Sequence, residues 1–412
     1  MADDDFPFDL YTGSDTGFLK GCLLSNKTAT QINQIEEPKK ELGITCLAWG
    51  NDERSVICTG CKYGRVYCYS LKSASCVQLH EDHHSDTSQS QKIALKEIRY
   101  SEPDLNLISA FSNGLVKVAH FEEISWEEGE NTPSRPTHEI GAGNDLYCMD
   151  FNLNSRTLIA TGGKKNPLKI WDITKPDQPP TFTAKNVKND WLNLHVPVWE
   201  TKVQFIPGGD KVITGTGYAQ IRMYDPSSVQ RRPVLEMKFE ENPITALSVR
   251  PGVEHQVVVG NTLGNIALLD IRKKGVVKSF KGSRGGVTDI KFHPSRPVFA
   301  SCGIDRFVNC FDLEQHKHPL YSVYMHSSLN CLLFSSKWSP DDSAGHDDAT
   351  IEGSDNLEPT AISDGVEGKV KKDFHEDEND EEEDVWKSMA VVKTKKRKQD
   401  SNFSPIRTKT KK

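Results

Sequence analysis

The chain has 412 residues, 26% of them charged, and a formal net charge of −7 at pH 7. No stretch reaches the roughly 18 consecutive apolar residues that a membrane-spanning helix needs. The acidic start MADDDFPFDL also lacks the basic and then apolar order of a secretory signal. We therefore expect a soluble intracellular protein without a membrane partner. The ten cysteines, mostly in strand-like runs such as VYCYS, are expected to be small buried side chains rather than a disulfide framework.

A short motif of alternating aliphatic residues, often followed by an aromatic residue and Asp, recurs about seven times. Its copies are GFLKGCL, GRVYCYS, GLVKVAH, NPLKIWD, AQIRMYD, GNIALLD and RFVNCFD. They follow one another at intervals of roughly 42 to 53 residues, and a period of this size with a Trp-Asp ending is typical of WD repeats. The sequence therefore predicts an all-β fold, a seven-bladed WD-repeat β-propeller over residues 8–336.

The first blade, in chain order, starts almost at the N-terminus with DLYTG and then GFLKGCL, so it lacks an innermost strand. The run from Leu329 to Ser336, LNCLLFSS, follows the seventh copy and resembles the innermost-strand pattern ITCLAWG of the second blade. We expect this run to supply the missing strand, so that N- and C-terminal strands close the ring. Closure of this kind removes most exposed strand edges.

Two strings in the second blade resemble metal or redox motifs. HEDHH, from His80 to His84, matches the zinc-protease string H-E-x-x-H, but it runs into the loop-like SDTSQSQ and has no apolar helical face. The C-x-x-C spacing of Cys58 and Cys61 has no partner pair. TGTGYAQ, further along the chain, lacks the third glycine of a nucleotide fingerprint. We expect no metal, no cofactor, no small-molecule substrate and no catalytic activity.

The fourth blade shows the repeat most clearly. Its predicted strands are DLYCMDF (Asp145–Phe151), TLIATG (Thr157–Gly162), LKIWD and TFTA, with the turn KKNP between the second and third. Alternation within LKIWD places Leu168 and Ile170 on one face of the sheet and Trp171 on the other. A strand with two apolar faces fits between two neighbouring blades.

The connection after the fourth blade, KNVKNDWLNLHVPVW, is long for a propeller, and we expect it on the same face as the turn KKNP. Loops on rigid scaffolds often carry function. The candidate face for a protein or RNA partner consists of Lys164, Lys165, Lys185, Asn186, Lys188, Asn189, Asp190 and Trp191. The alternative is that Trp191, Leu192 and Val196 only pin the loop to the blade. Arg231 and Arg232 are a further basic candidate, expected at a turn on the opposite face.

The C-terminal part of the chain has a strongly uneven charge distribution. Residues 337–384 form a predicted acidic, disordered linker, and residues 385–412 form a basic tail. Acidic residues precede Trp386 and Met389 and basic residues follow them, which suits the dipole of a short helix. We interpret Trp386 and Met389 as a partner motif, and a wholly disordered solubilising tail is the alternative. The predicted nuclear localisation signal contains Lys393, Lys395, Lys396, Arg397 and Lys398.

Four segments carry a resemblance to a known family: GSDTGFLKG, AKNVKNDWLNLHVPVW, YDPSSVQRRPVLE and SCGIDRFV. They resemble, in the same order, the family of WD repeat-containing protein seventy-four, whose fungal counterpart is a Nop-seven-associated factor of large ribosomal subunit assembly. The match extends from about Leu10 to Ser336. In the tail the resemblance is one of composition only.

The resemblance implies a nucleolar, non-catalytic assembly factor on pre-ribosomal particles of the large subunit. Partners implied in the same way are pre-ribosomal proteins, an exosome-associated RNA helicase and an AAA-type ATPase that releases the factor. The resemblance does not decide whether the protein contacts ribosomal RNA directly. The fold alone also fits an adaptor for a ubiquitin ligase or a chromatin-modifying complex, because one fold serves many functions.

Overall fold

A computed structural model describes residues 8–335, apart from residues 36, 74, 81–92, 102–105, 122–125, 127–136 and 190–191. Within these residues the chain forms seven antiparallel sheets of four strands each, arranged as the blades of a ring. The predicted seven-bladed β-propeller is confirmed. No helix among the described residues is long and apolar enough to span a membrane. The predicted linker and basic tail lie outside the described residues.

The strands are numbered in chain order, and each blade has its first strand innermost, except for the first blade. The first blade contains β1 (Leu10–Ser14), β2 (Leu19–Leu23) and β3 (Thr28–Gln31), followed by a 3-10 helix (Lys40–Leu42). The second contains β4 (Ile44–Trp49), β5 (Val56–Cys61), β6 (Val66–Ser70) and β7 (Cys76–His80). The third contains β8 (Leu95–Ser101), β9 (Asn106–Phe111), β10 (Leu115–His120) and β11 (His138–Gly141).

The remaining blades follow the same order. The fourth contains β12 (Leu146–Phe151), β13 (Leu158–Gly163), β14 (Asn166–Asp172) and β15 (Phe182–Thr183). The fifth contains β16 (Glu200–Phe205), β17 (Val212–Thr216), β18 (Gln220–Tyr224) and β19 (Leu235–Lys238). The sixth contains β20 (Ile244–Val249), β21 (Gln256–Asn261), β22 (Ile266–Asp270) and β23 (Gly275–Phe280). The seventh contains β24 (Val287–Phe292), β25 (Val298–Gly303), β26 (Phe307–Asp312) and β27 (Tyr321–Tyr324), and β28 (Leu329–Phe334) follows it.

The two ends of the propeller meet in the first blade, as predicted. β28 is the innermost strand of that blade and pairs antiparallel with β1, with Leu10 opposite Phe334 and Thr12 opposite Leu332. The closing strand ends at Phe334, and Ser336 lies outside the described residues. Leu10 and Leu332 are both fully buried, so the joint between the chain ends is part of the hydrophobic core.

The recurring sequence motif is the third strand from the centre in every blade described, from β2 to β26. In β14, Leu168 and Ile170 pack in the cluster that also contains Val203 of the fifth blade, whereas Trp171 packs with Ile108 of the third. The predicted alternation is therefore confirmed. The Trp171 indole N–H donates to the Thr161 hydroxyl at 2.9 Å, so its one polar group is paired inside the core.

Polar side chains on the innermost strands connect neighbouring blades. The Asp150 carboxylate accepts a hydrogen bond from the Phe205 backbone N–H at 2.8 Å, and the Gln204 side-chain oxygen accepts one from Val249 N–H at 2.9 Å. Arg99 forms ion pairs with Glu97 and Asp150. We call the face of the ring at which the innermost strands begin the upper face. The turns between second and third strands, and the connections between blades, reach this face.

Candidate interaction face

The turn between β13 and β14 presents Lys164 and Lys165 as exposed side chains on the upper face. Lys164 N–H donates to the Asp145 carbonyl at 3.0 Å, and Lys165 N–H donates to the Val198 carbonyl at 2.9 Å. Lys165 has a φ of 56°, in the left-handed region, which lets the turn close sharply. The second hydrogen bond ties the turn to the end of the long connection, so the turn and the connection share one face, as predicted.

The long connection, residues 185–199, is held in place by its asparagines. The Asn186 side-chain N–H group donates to the Val196 carbonyl at 2.7 Å, which folds the connection back on itself. Asn189 donates to the Asn193 carbonyl at 3.1 Å within the outer part of the loop. Lys185 and Lys188 are exposed, whereas Asn186 is half-buried. Asn186 is therefore a structural residue of this face, and the lysines are available to a partner.

The alternative interpretation, that apolar residues pin the connection to the blade, fits only part of it. The Leu192 side chain is 56% exposed and Leu194 is 58% exposed. Val196 is half-buried. Asp190 and Trp191 lie outside the described residues, as do Trp386, Met389, Lys393, Lys395, Lys396, Arg397 and Lys398.

Arg231 and Arg232 lie in the turn between β18 and β19, the predicted third-to-fourth-strand turn. They nevertheless contact the connection directly, so the prediction that they belong to the opposite face was wrong. The Arg231 carbonyl accepts a hydrogen bond from Lys185 N–H at 2.7 Å, and Arg232 Nε donates to the Asn186 carbonyl at 3.1 Å. The turn between β18 and β19 is long enough to extend to the neighbouring blade, which a rule based on strand order does not anticipate. The two arginines therefore belong to the same surface as Lys185.

An aromatic cluster next to this loop was not predicted. The Trp199 ring lies between Tyr147 and Tyr218, with both centroid distances 6.0 Å and edge-to-face angles of 76° and 79°. Trp199 requires Gly217 opposite it, because a Cβ at that position would come within 2.2 Å of the indole ring. Tyr147 is 38% exposed and Tyr218 is 43% exposed. The cluster is accessible from the upper face.

Two lysines lie over the faces of these rings. Lys164 Nζ is 5.3 Å from the centroid of Trp199, and Lys96 Nζ is 5.0 Å from the centroid of Tyr147. Both distances are within the range of favourable cation–π contact. A sequence signal for the cluster exists: aligning the innermost strands places Lys96 and Tyr147 where other blades have Thr or Asn.

A buried ion pair lies immediately below the cluster. Glu200 and Arg222 are each 1% exposed, and the Arg222 guanidinium is 4.0 Å from Glu200 and 3.0 Å from Glu236. Burial raises the pKa of the Glu200 carboxyl to about 6, because desolvation outweighs the attraction of Arg222. The pair lies in the core and is not part of the accessible face.

The residues described include no group of three or more His, Cys, Asp or Glu side chains placed to hold a metal ion. The ten cysteines are free thiols, and nine of them are buried. Burial raises the pKa of the Cys61 thiol to about 11, so it is protonated at neutral pH. Cys58 and Cys61 lie within β5, as core residues of a blade.

Comparison with known proteins agrees with the architecture. The family described as WD domain, G-beta repeat matches residues 274–312, which span the end of the sixth blade and most of the seventh. A chain of the structure "Crystal Structure of Mitotic Checkpoint Complex" superposes with a TM-score of 0.54 over 69% of this chain and 78% of that one. Its sequence identity is 14%, so this similarity concerns the fold alone.

Sequence comparison is more specific. Human WD repeat-containing protein 74 is 36% identical over 328 residues, which cover 80% of this chain and 81% of the human protein. The Schizosaccharomyces pombe protein described as "Ribosome biogenesis protein nsa1" is 25% identical over 77% of this chain and 85% of its own length. A sequence identity of 36% over 80% of this chain and 81% of the human protein establishes common ancestry. The chain belongs to the WD repeat-containing protein 74 family.

Proposed function

We propose that this protein is a non-catalytic assembly factor of the large ribosomal subunit, which docks on pre-ribosomal particles through the upper face of its fourth and fifth blades. Membership of the WD repeat-containing protein 74 family carries the proposal, since the fungal relative at 25% identity is described as a ribosome biogenesis protein. Its site of action is then the nucleus and the nucleolus. A closed propeller suits a scaffold because its blades hold surface loops in fixed positions.

The docking surface that we propose consists of exposed basic side chains beside exposed aromatic rings. Aromatic residues and Arg are enriched in protein interfaces, where the rings bury apolar area, and complementary charges steer encounter and set the orientation of the partners. The lysines of the face are Lys164, Lys165, Lys185 and Lys188, with Arg231 and Arg232 alongside. Pre-ribosomal proteins are the proposed partners, and ribosomal RNA is a second partner that the same basic loop fits.

The tail has a separate role in this proposal. Trp386 and Met389 recruit the exosome-associated helicase and the releasing ATPase, and the basic run that starts at Lys393 directs nuclear entry. A large aromatic side chain within a charged segment has the chemistry of a binding hot spot. Docking through the propeller and recruitment through the tail are then independent properties of one chain.

Charge reversal tests the docking surface. In a chain with Lys164, Lys165, Lys185 and Lys188 all changed to Glu, we expect loss of co-sedimentation with pre-ribosomal particles and an unchanged melting temperature, because exposed charges contribute little to folding. The matched control changes four exposed lysines of the sixth and seventh blades to Glu: Lys273, Lys274, Lys281 and Lys317. This control should co-sediment normally.

Normal co-sedimentation of the first variant would rule out this surface. Salt dependence separates the two classes of partner, because each phosphate contact adds about one unit to the slope of log affinity against log salt. Purification of the wild-type complex tests the function itself. Co-purifying ubiquitin-ligase or histone-modifying subunits, without pre-ribosomal proteins, would replace it with the adaptor function.

A further inference from the structure

The second residue of each innermost strand lies at the upper end of that strand, where the seven innermost strands surround the centre of the ring. We call these ends the upper mouth of the central channel. In five blades this residue is Thr or Asn: Thr45, Thr201, Thr245, Thr288 and Asn330. Four of them connect to the first residue of the next innermost strand. Thr201 donates to the Ile244 carbonyl at 2.6 Å, Thr288 donates to Leu329 at 2.7 Å, and Asn330 donates to Ile44 at 2.7 Å. Thr245 donates to Val287 in the same way.

The third and fourth blades depart from this pattern at the same place. Their residues at the ring position are Lys96 and Tyr147, and the pair forms a cation–π contact instead of a hydrogen bond to the next strand. The Tyr147 ring contacts the Trp199 ring at a centroid distance of 6.0 Å, and Lys164 Nζ lies 5.3 Å from the Trp199 centroid. One side of the mouth is therefore lined by two ammonium groups on aromatic rings, where four of the other five blades have short polar links.

Neither ammonium group has a counter-ion in the part of the chain that the structure describes. No carboxylate there lies within 4.0 Å of Lys96 or Lys164, although ion pairs occur at Lys117 and Arg99 of the same blades. Burial and the nearby Lys202 lower the pKa of Lys96, which means that its charged form lacks compensation. An anion placed here would gain from both lysines.

We propose that this side of the channel mouth binds an acidic, extended segment of a partner protein, with one carboxylate at Lys96 and another at Lys164. The partner's identity as a pre-ribosomal protein rests on the proposed function, but the chemistry of the site does not. An extended segment places alternate side chains on one side at intervals of about 7 Å, so acidic residues at alternate positions can all face the mouth and reach both lysines.

The observations favour a peptide over single-stranded RNA. RNA that binds without base pairing stacks its bases on open aromatic faces and relies on many phosphate contacts. Here Lys164 and Lys96 already lie over the rings of Trp199 and Tyr147, and both Tyr rings meet the indole in T-shaped contacts rather than leaving a parallel stack. Two ammonium groups at the mouth match two carboxylates of one segment.

Fluorescence anisotropy with the full-length protein tests the proposal. The probes are fluorescein-labelled oligoglutamate, oligoglutamine of the same length and oligouridylate. The test variant is Lys96→Gln with Lys164→Gln, and the matched control is Lys273→Gln with Lys274→Gln, which removes the same charge from an exposed turn of the sixth blade. We expect oligoglutamate to bind the wild type and the control alike, and the test variant roughly tenfold more weakly or worse. Equal melting temperatures confirm that each variant is folded.

Three results would overturn the proposal. The first is wild-type protein that binds oligoglutamate no better than oligoglutamine. The second is an equal loss in both double variants, which would mean non-specific attraction. The third is oligouridylate binding more tightly than oligoglutamate and depending on the same two lysines, which would make this an RNA site. Particle co-sedimentation of the wild type is scored separately. A protein that binds oligoglutamate through these lysines but never joins pre-ribosomal particles retains this site and loses the proposed function.

Discussion

Among single residues, the candidate face contains two kinds of side chain: some hold the face in shape through contacts within the protein, and others are exposed to a binding partner. Asn186 and Gly217 hold the loop and the indole ring in position, whereas Lys185 and Lys188 are exposed. Residue type alone does not separate these roles, because asparagine and lysine occur side by side in the same loop. Hydrogen-bond partners and exposure separate them.

Glu200, buried below the aromatic cluster, should make stability depend on pH. Its pKa is raised from 4.5 to about 6, so the folded state holds this proton more tightly than the unfolded state. The resulting stabilisation is fully present below about pH 4.5 and is lost as the pH rises through about 6. At roughly 1.4 kcal/mol for each unit of pKa, the loss is about 2 kcal/mol at most.

Glu200→Gln removes this titration. The melting temperature of Glu200→Gln minus that of the wild type should therefore increase between about pH 5 and pH 7, because only the wild type loses this stabilisation over the interval. Glu236→Gln removes the more exposed carboxylate beside Arg222 and is the control. Calorimetry at both pH values measures the differences. A Glu200→Gln difference that stays constant over this interval would contradict the assigned cause.

At the scale of strands, the closing joint between β1 and β28 should govern cooperative unfolding. A chain that ends after Ser328 lacks β28 and exposes Leu10, which is otherwise fully buried. It also leaves β1 with an unpaired edge and removes the packing of β28 against β4 and β24. We expect this truncation to unfold at a lower temperature with a broad transition, whereas a chain that ends after residue 338 should unfold like the full protein. Identical melting curves for the two truncations would show that β28 does not close the ring.

The positions of the strands could be predicted closely from the sequence, whereas the paths of the loops could not. The third strands were predictable because alternation of the kind seen at Leu168, Ile170 and Trp171 reports packing on both sides of a sheet. The outermost strands have one exposed face and a weaker pattern: the predicted TFTA contains only the two-residue strand Phe182–Thr183. Arg231 was misplaced because loop paths obey no period. Lys96 and Tyr147 were missed because their meaning appears only when seven inner strands are compared.

At the scale of the whole molecule, the propeller and the tail are expected to act separately. Replacement of the five tail bases, Lys393, Lys395, Lys396, Arg397 and Lys398, by Gln should leave the protein in the cytoplasm, with partner binding retained in vitro. Trp386→Ala should enter the nucleus normally but capture the helicase or the ATPase more weakly, by about 2 kcal/mol or more. Imaging and pull-down of both variants measure these effects. Wild-type capture of both partners by Trp386→Ala would reduce this segment to a solubilising tail.

The pairing of Leu10 with Phe334 also imposes an order on biosynthesis. A ribosome adds residues from the N-terminus, so β1 emerges among the earliest strands and waits for a partner that is among the last to be translated. Until then the nascent chain carries a first sheet whose inner strand, β1, has one unpaired edge, and an incomplete arc of blades follows it. Such edges invite association with other chains, and contacts this distant in sequence form slowly. The protein should therefore depend on chaperones that shield strand edges during its own synthesis, more than a propeller whose blades each fold from contiguous sequence.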